Sequence, residues 1–405
     1  MNDKVSTLQP YQGALPRRAR MLLSVLARLR YGRLELIGPD GRSFSFPSAL
    51  PGPDAVIHLA DWEVASDALR AGDIGFAEAY LQGRWHTPDL TAVLTLAALN
   101  HAALEHAIYG RWWGQVLYRL THLLRSNTRA GARRNIHAHY DIGNDFYERW
   151  LDQTMTYSSA LFAGDLSRSL EDAQTAKYES ILRSINPKPG ERVLEIGCGW
   201  GGFAEYAART RGCRVHGISI SRKQLSRAQA RIHRAGLDDQ VTLEFRDYRD
   251  VDGEFDHVVS IEMYEAVGER YWPAYFETIA HRLKRGRRAA IQAIVISDEL
   301  FPRYRRGTDF IQQFIFPGGM LASPSVFARH AQNAGLEVRK RRTFGMDYAE
   351  TLKRWQHAFN RAWPEIQSQI FDARFKRLWN FYLSYCEAGF RAGTTDVMQV
   401  ELAHA

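Results

Sequence analysis

Between Pro16 and Arg30 the apolar residues Met21, Leu22, Val25, Leu26 and Leu29 recur at helical spacing. Arg17, Arg18, Arg20, Arg28 and Arg30 surround them, so the pattern predicts a basic amphipathic helix. The period then changes to two. Arg33-Leu34-Glu35-Leu36-Ile37 and Arg42-Ser43-Phe44-Ser45-Phe46 each alternate polar and apolar, and Gly38-Pro39-Asp40-Gly41 between them reads as a turn. This predicts a hairpin, to which Val56-Ile57-His58-Leu59 offers a third strand. Helical period returns over residues 63–106, broken near Gly72, Gly83 and Pro88. Together these elements predict a small α+β domain over residues 1–125, leaving 126–405 as a second domain. Residues 107–135 interleave Tyr109, Trp112, Trp113, Leu117, Tyr118, Leu123 and Leu124 with Arg111, Arg119, Arg125, Arg129, Arg133 and Arg134. They read as a helix leading into a linker near Gly131.

From residue 174 onward, strand and helix patterns alternate. Helices are predicted over 174–185, 202–210, 221–235 and 271–283, and strands over 192–196, 213–218, 241–245, 255–260 and 288–296. That order is the mark of an α/β fold with a mostly parallel sheet covered on both faces. Residues 301–325 read as an insertion. Residues 346–392 read as helical, with an aromatic stripe including Trp355, Phe359, Trp363, Trp379 and Phe381. Ordinary core is the simpler reading of that stripe, and the lining of an acyl channel the alternative.

The chain is organised around Val193-Leu194-Glu195-Ile196-Gly197-Cys198-Gly199-Trp200-Gly201-Gly202. An apolar run of strand length is followed by a glycine turn and a helix opening, where the backbone can approach a ligand closely. Gly197-x-Gly199-x-x-Gly202 matches the dinucleotide fingerprint by letter. A nicotinamide-binding unit should carry an acidic residue about 20 positions further on. Here the second strand, Arg214-Val215-His216-Gly217-Ile218, is followed by Ser219, with no acid. The context Leu194-Glu195-Ile196-Gly197-Cys198-Gly199 instead resembles motif I of S-adenosylmethionine-dependent methyltransferases.

Composition narrows the class. A length of 405 residues suggests two domains, or one large domain with an extension, and a 45% hydrophobic content suits a globular protein with a full core. Cys198, Cys213 and Cys386 are scattered, with no CxxC and no His/Cys metal spacing. That argues against a disulfide framework or a metal site and for a reducing compartment. No apolar run reaches the roughly 18 residues of a spanning helix. Met21–Ala27 is short and is followed by Arg28 and Arg30, unlike a signal peptide. A net charge of +8 suits nucleic acid or an anionic membrane surface. No nucleic-acid-binding module accompanies the aromatic-arginine stretch, which favours the membrane surface and predicts no nucleic-acid partner. The alternative for residues 16–30 is an edge helix with a solvated arginine face.

Four further segments narrow the reading: His139-Tyr140-Asp141-Ile142-Gly143-Asn144-Asp145-Phe146-Tyr147, continuing to Met155-Thr156-Tyr157-Ser158-Ser159-Ala160; Ser260-Ile261-Glu262-Met263-Tyr264-Glu265-Ala266-Val267-Gly268; Asp309-Phe310-Ile311-Gln312-Gln313-Phe314-Ile315-Phe316-Pro317-Gly318-Gly319; and Phe344-Gly345-Met346-Asp347-Tyr348. In this order, with the glycine motif between the first and second, the chain resembles the cyclopropane-fatty-acyl-phospholipid synthase family from about residue 135 to the C-terminus. The resemblance implies a Rossmann-like class I methyltransferase domain behind a small lipid-engaging α+β domain. It implies an enzyme that moves a one-carbon unit from S-adenosylmethionine to the cis double bond of an unsaturated phospholipid acyl chain. Gly197, Gly199 and Gly202 would form the cofactor turn, with Ser219 and Gln224 in contact with the cofactor. Tyr248 would face the adenine, and Tyr157 and Ser158 would close over the methionine end. Tyr140, Glu265 and Tyr348, with the backbone of Ile294, occupy positions that in the family hold a bicarbonate base.

Two departures bear on that base. Ser159 stands where well-known members have cysteine, and Gln292 where they have histidine. Both can hydrogen-bond an anion, so they stay among the expected site residues while leaving the ring-forming step open. The expectation is therefore a cytoplasmic enzyme, peripheral to the inner face of the cell membrane, acting on phospholipid; a homodimer is compatible with the sequence. The rivals are a fatty-acyl C-methyltransferase giving a methyl-branched or methylene product, a soluble small-molecule methyltransferase, and a non-catalytic lipid-binding protein.

Overall fold

A computed structural model of the chain describes residues 6–7, 15–108, 142–368 and 371–405. The described residues form two compact units. One draws on Met1–His122, Arg306–Phe314 and Gln367–Thr394; the other on Leu123–Arg305, Ile315–Ile366 and Thr395–Ala405.

The first unit carries α1 (Arg17–Leu26) and a five-stranded sheet of β1 (Ser6–Thr7), β2 (Tyr31–Ile37), β3 (Ser43–Pro47), β4 (Leu50–Leu59) and β5 (Trp85–His86), in the order β1-β3-β2-β4-β5. The predicted hairpin is β2 and β3, antiparallel with Leu36 opposite Phe44. The third strand starts earlier than its apolar run suggests and lies parallel to β2. Period two buries Leu34, Leu36, Phe44, Phe46, Ile57 and Leu59. Helices α2 (Glu63–Leu81), α3 (Leu90–Leu99) and α4 (His101–Ile108) follow, and α2 kinks at Gly72, whose φ is 62°. Two segments that the sequence assigns to the later domain pack in this unit, the short helix Phe310–Phe314 and the helix Ala373–Arg391. Aromatic contact holds them together: the Phe310 and Phe381 ring centroids are 4.6 Å apart. Arg377 also donates to the Tyr80 carbonyl at 3.1 Å.

The second unit is built on a seven-stranded sheet of β6 (Arg192–Ile196), β7 (Arg214–Ser219), β8 (Val241–Phe245), β9 (Phe255–Ile261), β10 (Leu283–Ile296), β11 (Leu336–Thr343) and β12 (Thr395–His404). The order is β11-β12-β10-β9-β6-β7-β8. The run β10-β9-β6-β7-β8 is parallel throughout, and β12 is antiparallel to both its neighbours. Helices α5 (Asn144–Glu148), α6 (Leu170–Ile185), α7 (Gly202–Arg211), α8 (Arg222–Arg234), α9 (Trp272–Arg282), α10 (Pro324–Asn333) and α11 (Gly345–Ile366) accompany it. Successive residues of β6 point to opposite faces. Leu194 and Ile196 join a core with Trp272, Phe276 and Ile279 of α9, while Val193 joins one with Ile181 and Leu182 of α6 and Phe203 of α7. β6 lies between β7 and β9, so the connections leave it in opposite directions. Open α/β sheets bind ligands beyond the carboxyl ends of the strands at such a reversal. The aromatic stripe divides between the units and is mostly core: Trp355, Phe359, Trp363, Trp379 and Phe381 are buried. Among the described residues, no helix is long and apolar enough to cross a membrane.

Candidate active site

The turn after β6 needs glycine for two different reasons. Gly197, Gly199 and Gly201 have φ of 87°, 50° and 80°, a region costly for residues with a Cβ. The Gly197 and Cys198 N–H groups both donate to the Ile218 carbonyl, which ties the turn to β7. A Cβ on Gly199 would meet nothing within 4 Å, so that face is open. A Cβ on Gly202 would lie 2.6 Å from the Tyr178 hydroxyl, so there the glycine serves packing. Gly201 caps α7 with no side-chain bond, leaving N–H groups of the first helical turn without a side-chain acceptor.

Neighbouring strand ends complete this rim. Ser219 closes β7, and its hydroxyl accepts from Ser221 N–H at 3.1 Å. Ser221 in turn caps α8 by accepting from the N–H of Gln224, whose side chain is buried. Tyr248 follows β8 with its ring edge-on to Tyr275 at 5.8 Å and the Arg249 guanidinium 5.4 Å from its centroid. Its hydroxyl is buried without a partner among the described residues, and burial raises its pKa. Tyr157 stacks into an aromatic wall, 5.3 Å from Tyr147 and 5.1 Å from Trp355. The Ser158 hydroxyl accepts from Lys177 Nζ at 2.6 Å, and its carbonyl accepts from Gln174 at 3.0 Å. Lys177 is fully buried, and burial pushes its ammonium down to about 7 against the pull of Glu262, Asp152 and Glu195. Glu195, buried in β6, is pushed up to about 8, also by burial.

Of the expected catalytic residues, Ser159, Glu265, Gln292 and Tyr348 come together at the end of β9, around a residue that the motif reading passed over. Glu262 stands at φ 49°, unusual for a side chain of its size. Its Oε1 accepts from Ser159 N–H at 2.8 Å and from Gln292 Nε2 at 2.7 Å. Its Oε2 accepts from the Tyr348 hydroxyl at 2.6 Å. Gln292 is held from its other side, where Gln399 of β12 donates to its carbonyl oxygen at 3.0 Å. The Ser159 hydroxyl donates to the Ala160 carbonyl at 2.9 Å. Glu265 accepts from Ile294 N–H through Oε1, while its Oε2 is buried with no partner among the described residues. Burial and the nearby Glu262 charge push Glu265 up to about 8, against the Ile294 hydrogen bond. Burial also raises Glu262, against the bonds from Tyr348 and Gln292 and the charge of Lys177. Two adjacent buried carboxyl groups, both of raised pKa, do not ionise independently, which suits the pair to accept and hold a proton.

Tyr140 lies outside the described residues. Of the other expected site residues, the structure brings Ser159, Gln292, Tyr348 and Glu265 together around Glu262. Ser219, Gln224, Tyr248 and the glycines lie along the strand ends. Glu262 was visible in Ser260-Ile261-Glu262-Met263, directly at the end of an apolar strand. Lys177 and Gln399 carried no motif at all.

The open face at Gly199 and the uncapped start of α7 fit a cofactor whose amino-acid end offers a carboxylate. The described donors do not fit the bicarbonate that the resemblance implies, because the Ser159 N–H, the Gln292 amide and the Tyr348 hydroxyl already end on Glu262 and the Ser159 hydroxyl on the Ala160 carbonyl.

Residues 127–400 match the model of the family described as mycolic acid cyclopropane synthetase. The chain belongs to that family. This cyclopropane-synthetase-family chain is 38% identical over 375 residues to the tuberculostearic acid methyltransferase of Mycobacterium tuberculosis, covering 90% of this chain and 86% of that one. It is 34% identical over 340 residues to the cyclopropane-fatty-acyl-phospholipid synthase of Escherichia coli strain K12, covering 82% and 83%. The solved mycolic acid cyclopropane synthase CmaA1 complexed with SAH and CTAB superposes with a TM-score of 0.60 at 28% identity, over 67% of this chain and 97% of that one. The family is one of S-adenosylmethionine-dependent methyltransferases with an α/β fold.

Proposed function

We propose that this enzyme transfers a one-carbon unit from S-adenosylmethionine to the cis double bond of an unsaturated phospholipid acyl chain and closes it to a cyclopropane. The observation that carries the reading is the carboxyl pair Glu262 and Glu265 at the end of β9, next to the strand that leads into the glycine turn. A simple methyl transfer to nitrogen or oxygen does not need two buried acids. Transfer to an alkene carbon leaves a cation that must lose a proton, and buried carboxyl groups with raised pKa supply the acceptor. The bound cofactor supplies an electrophilic methyl group. The chain's own residues do the rest. The glycine turn admits and orients the cofactor, with Ser219, Gln224 and Tyr248 bordering its site. Tyr157 with Tyr147, Trp150 and Trp355 makes a wall that excludes water from a reactive cation. The acyl substrate is supported by the relatives' names, which concern fatty acyl chains.

The enzyme works at the inner face of the cell membrane, held there by charge. Arg17, Arg18, Arg20 and the apolar Met21 are all exposed on α1. The arginines expected to assist from residues 107–135 lie outside the described residues.

A second reading, a methyl-branched or methylene product, is favoured by the engagement of Gln292 with Glu262 and by the methyltransferase relative at 38% identity. Proton NMR of the released fatty esters tests the two. Ring protons upfield of the chain methylenes are expected, and vinylic signals without them would transfer the assignment to the second reading. Cofactor left unconsumed with every unsaturated lipid would leave a lipid-binding protein.

A further inference from the structure

We propose that Glu262 fills the anion place of this site with the chain's own carboxylate, so that the proton released during one-carbon transfer passes to Glu262 and not to a bound bicarbonate. This rests on the one-carbon reading above. Three donors from three parts of the second unit converge on the Glu262 carboxylate: Ser159 N–H before α6, the Gln292 amide in β10 and the Tyr348 hydroxyl in the first turn of α11. Both carboxyl oxygens are engaged. A carboxylate and a bicarbonate present the same planar pair of oxygens, so a site filled by one has no room for the other.

The backbone agrees. Glu262 is one of four non-glycine residues with positive φ among the described residues, and its N–H is tied to the Gln292 carbonyl at 2.8 Å. That turn aims the side chain back at the strand ends. Strain of this kind persists where the surroundings over-determine it, typically at functional sites. The gradient of donors divides the two acids. Among the described residues Glu262 accepts from the Ser159 N–H, the Gln292 amide and the Tyr348 hydroxyl, and Glu265 from backbone N–H groups alone; two adjacent acids do not both ionise readily. The charge therefore belongs on Glu262, and Glu265 stands beside it as a proton-holding positioning residue.

In the proposed step, the bond from the methyl carbon to sulfur breaks as that carbon bonds to one alkene carbon, leaving positive charge on the other. A C–H bond of the added methyl then breaks. Its electron pair closes the third side of the ring, and its proton goes to the Glu262 carboxylate, which becomes the neutral acid and later gives the proton to water.

The test adds 13C-labelled bicarbonate to the wild-type protein and to Glu262→Gly, with NMR detection of the bound anion. Glycine adopts φ 49° without strain and vacates the carboxylate. Wild type is expected to bind no bicarbonate and to turn over lipid equally with and without added bicarbonate. Glu262→Gly is expected to bind the labelled anion, to lose about 100-fold in turnover without it, and to recover part of that loss when it is added. Glu262→Gln keeps the side-chain shape; it should retain cofactor affinity and a normal melting curve, lose turnover similarly, and show no rescue. Bicarbonate bound to wild type, turnover lost in bicarbonate-free buffer, or full turnover by Glu262→Gln would overturn the proposal. If wild type modifies no lipid at all, the one-carbon reading fails, while the labelled-anion comparison still decides what fills the site.

Discussion

Gly199 and Gly202 share one motif, yet only their surroundings separate their roles. Gly199 faces open space, while Gly202 faces the Tyr178 hydroxyl. Gly199→Val should remain folded, at a backbone cost of about 1–2 kcal/mol for a branched residue in the left-handed region, and lose measurable cofactor binding by calorimetric titration. Gly202→Ala should instead lower the melting temperature through overpacking, by about 1–3 kcal/mol of stability. Equal cofactor affinity in wild type and Gly199→Val would remove the turn from the cofactor site. The acids carry a pH dependence of definite sign. Glu265 is raised from its ordinary 4.5 to about 8. Its contribution to stability is therefore full below 4.5 and is lost as pH rises through about 8. Above that pH a second negative charge also stands beside Glu262, so lipid turnover should fall on the alkaline side of about 8. In Glu265→Gln that alkaline fall should be absent, and its persistence would assign it to another group. The glycines and Glu265 stood out in sequence because they fall just past the apolar runs of β6 and β9, whereas Tyr348, in the first turn of α11, and Gln292, inside β10, stood out only through the family resemblance. Glu262 was not singled out, since its role depends on three hydrogen bonds that no spacing encodes.

Elements were legible wherever a hydrophobic period ran uninterrupted. β6 and β8 fall where their apolar runs lie, and α9 and α7 agree within a residue or two. β11 was missed because Arg339, Lys340, Arg341 and Arg342 hide it, and only Leu336 of that strand is buried. Charged edge strands of this kind discourage pairing with other chains. β12 was missed too, although Val397, Met398, Val400 and Leu402 are buried, because its pairing with β10 joins segments far apart in sequence. The return of the helix Ala373–Arg391 to the first unit is equally non-local. That packing buries Asp73 of α2 with Asp309, raising the first to about 7 and the second to about 6, with Tyr385 donating to Asp73 at 3.3 Å. Both folded-state values lie above the ordinary 3.8, so the stability they contribute is full below 3.8 and drains away up to about pH 7. Thermal melts should show a lower melting temperature at pH 8 than at pH 5.5, and Asp73→Asn should shrink that difference. An undiminished difference in Asp73→Asn would place its source elsewhere.

At the scale of the whole molecule, a net charge of +8 gains meaning from where the charge is exposed. Each arginine near an anionic surface contributes about 1 kcal/mol, so changing Arg17, Arg18 and Arg20 to Glu should weaken vesicle binding by about 100-fold or more. Co-sedimentation with anionic vesicles checks this, and binding should also weaken with salt. Salt-independent binding, or none, would contradict electrostatic docking and favour a small-molecule methyltransferase. The central claim concerns where the methyl carbon ends. It is tested most directly by incubating the purified protein with S-adenosylmethionine labelled with 13C in its methyl group and with vesicles of cis-unsaturated phospholipid, then recording the NMR spectrum of the released fatty esters. The predicted result is label in the acyl chain, at upfield ring positions; label absent from every acyl chain would contradict the account.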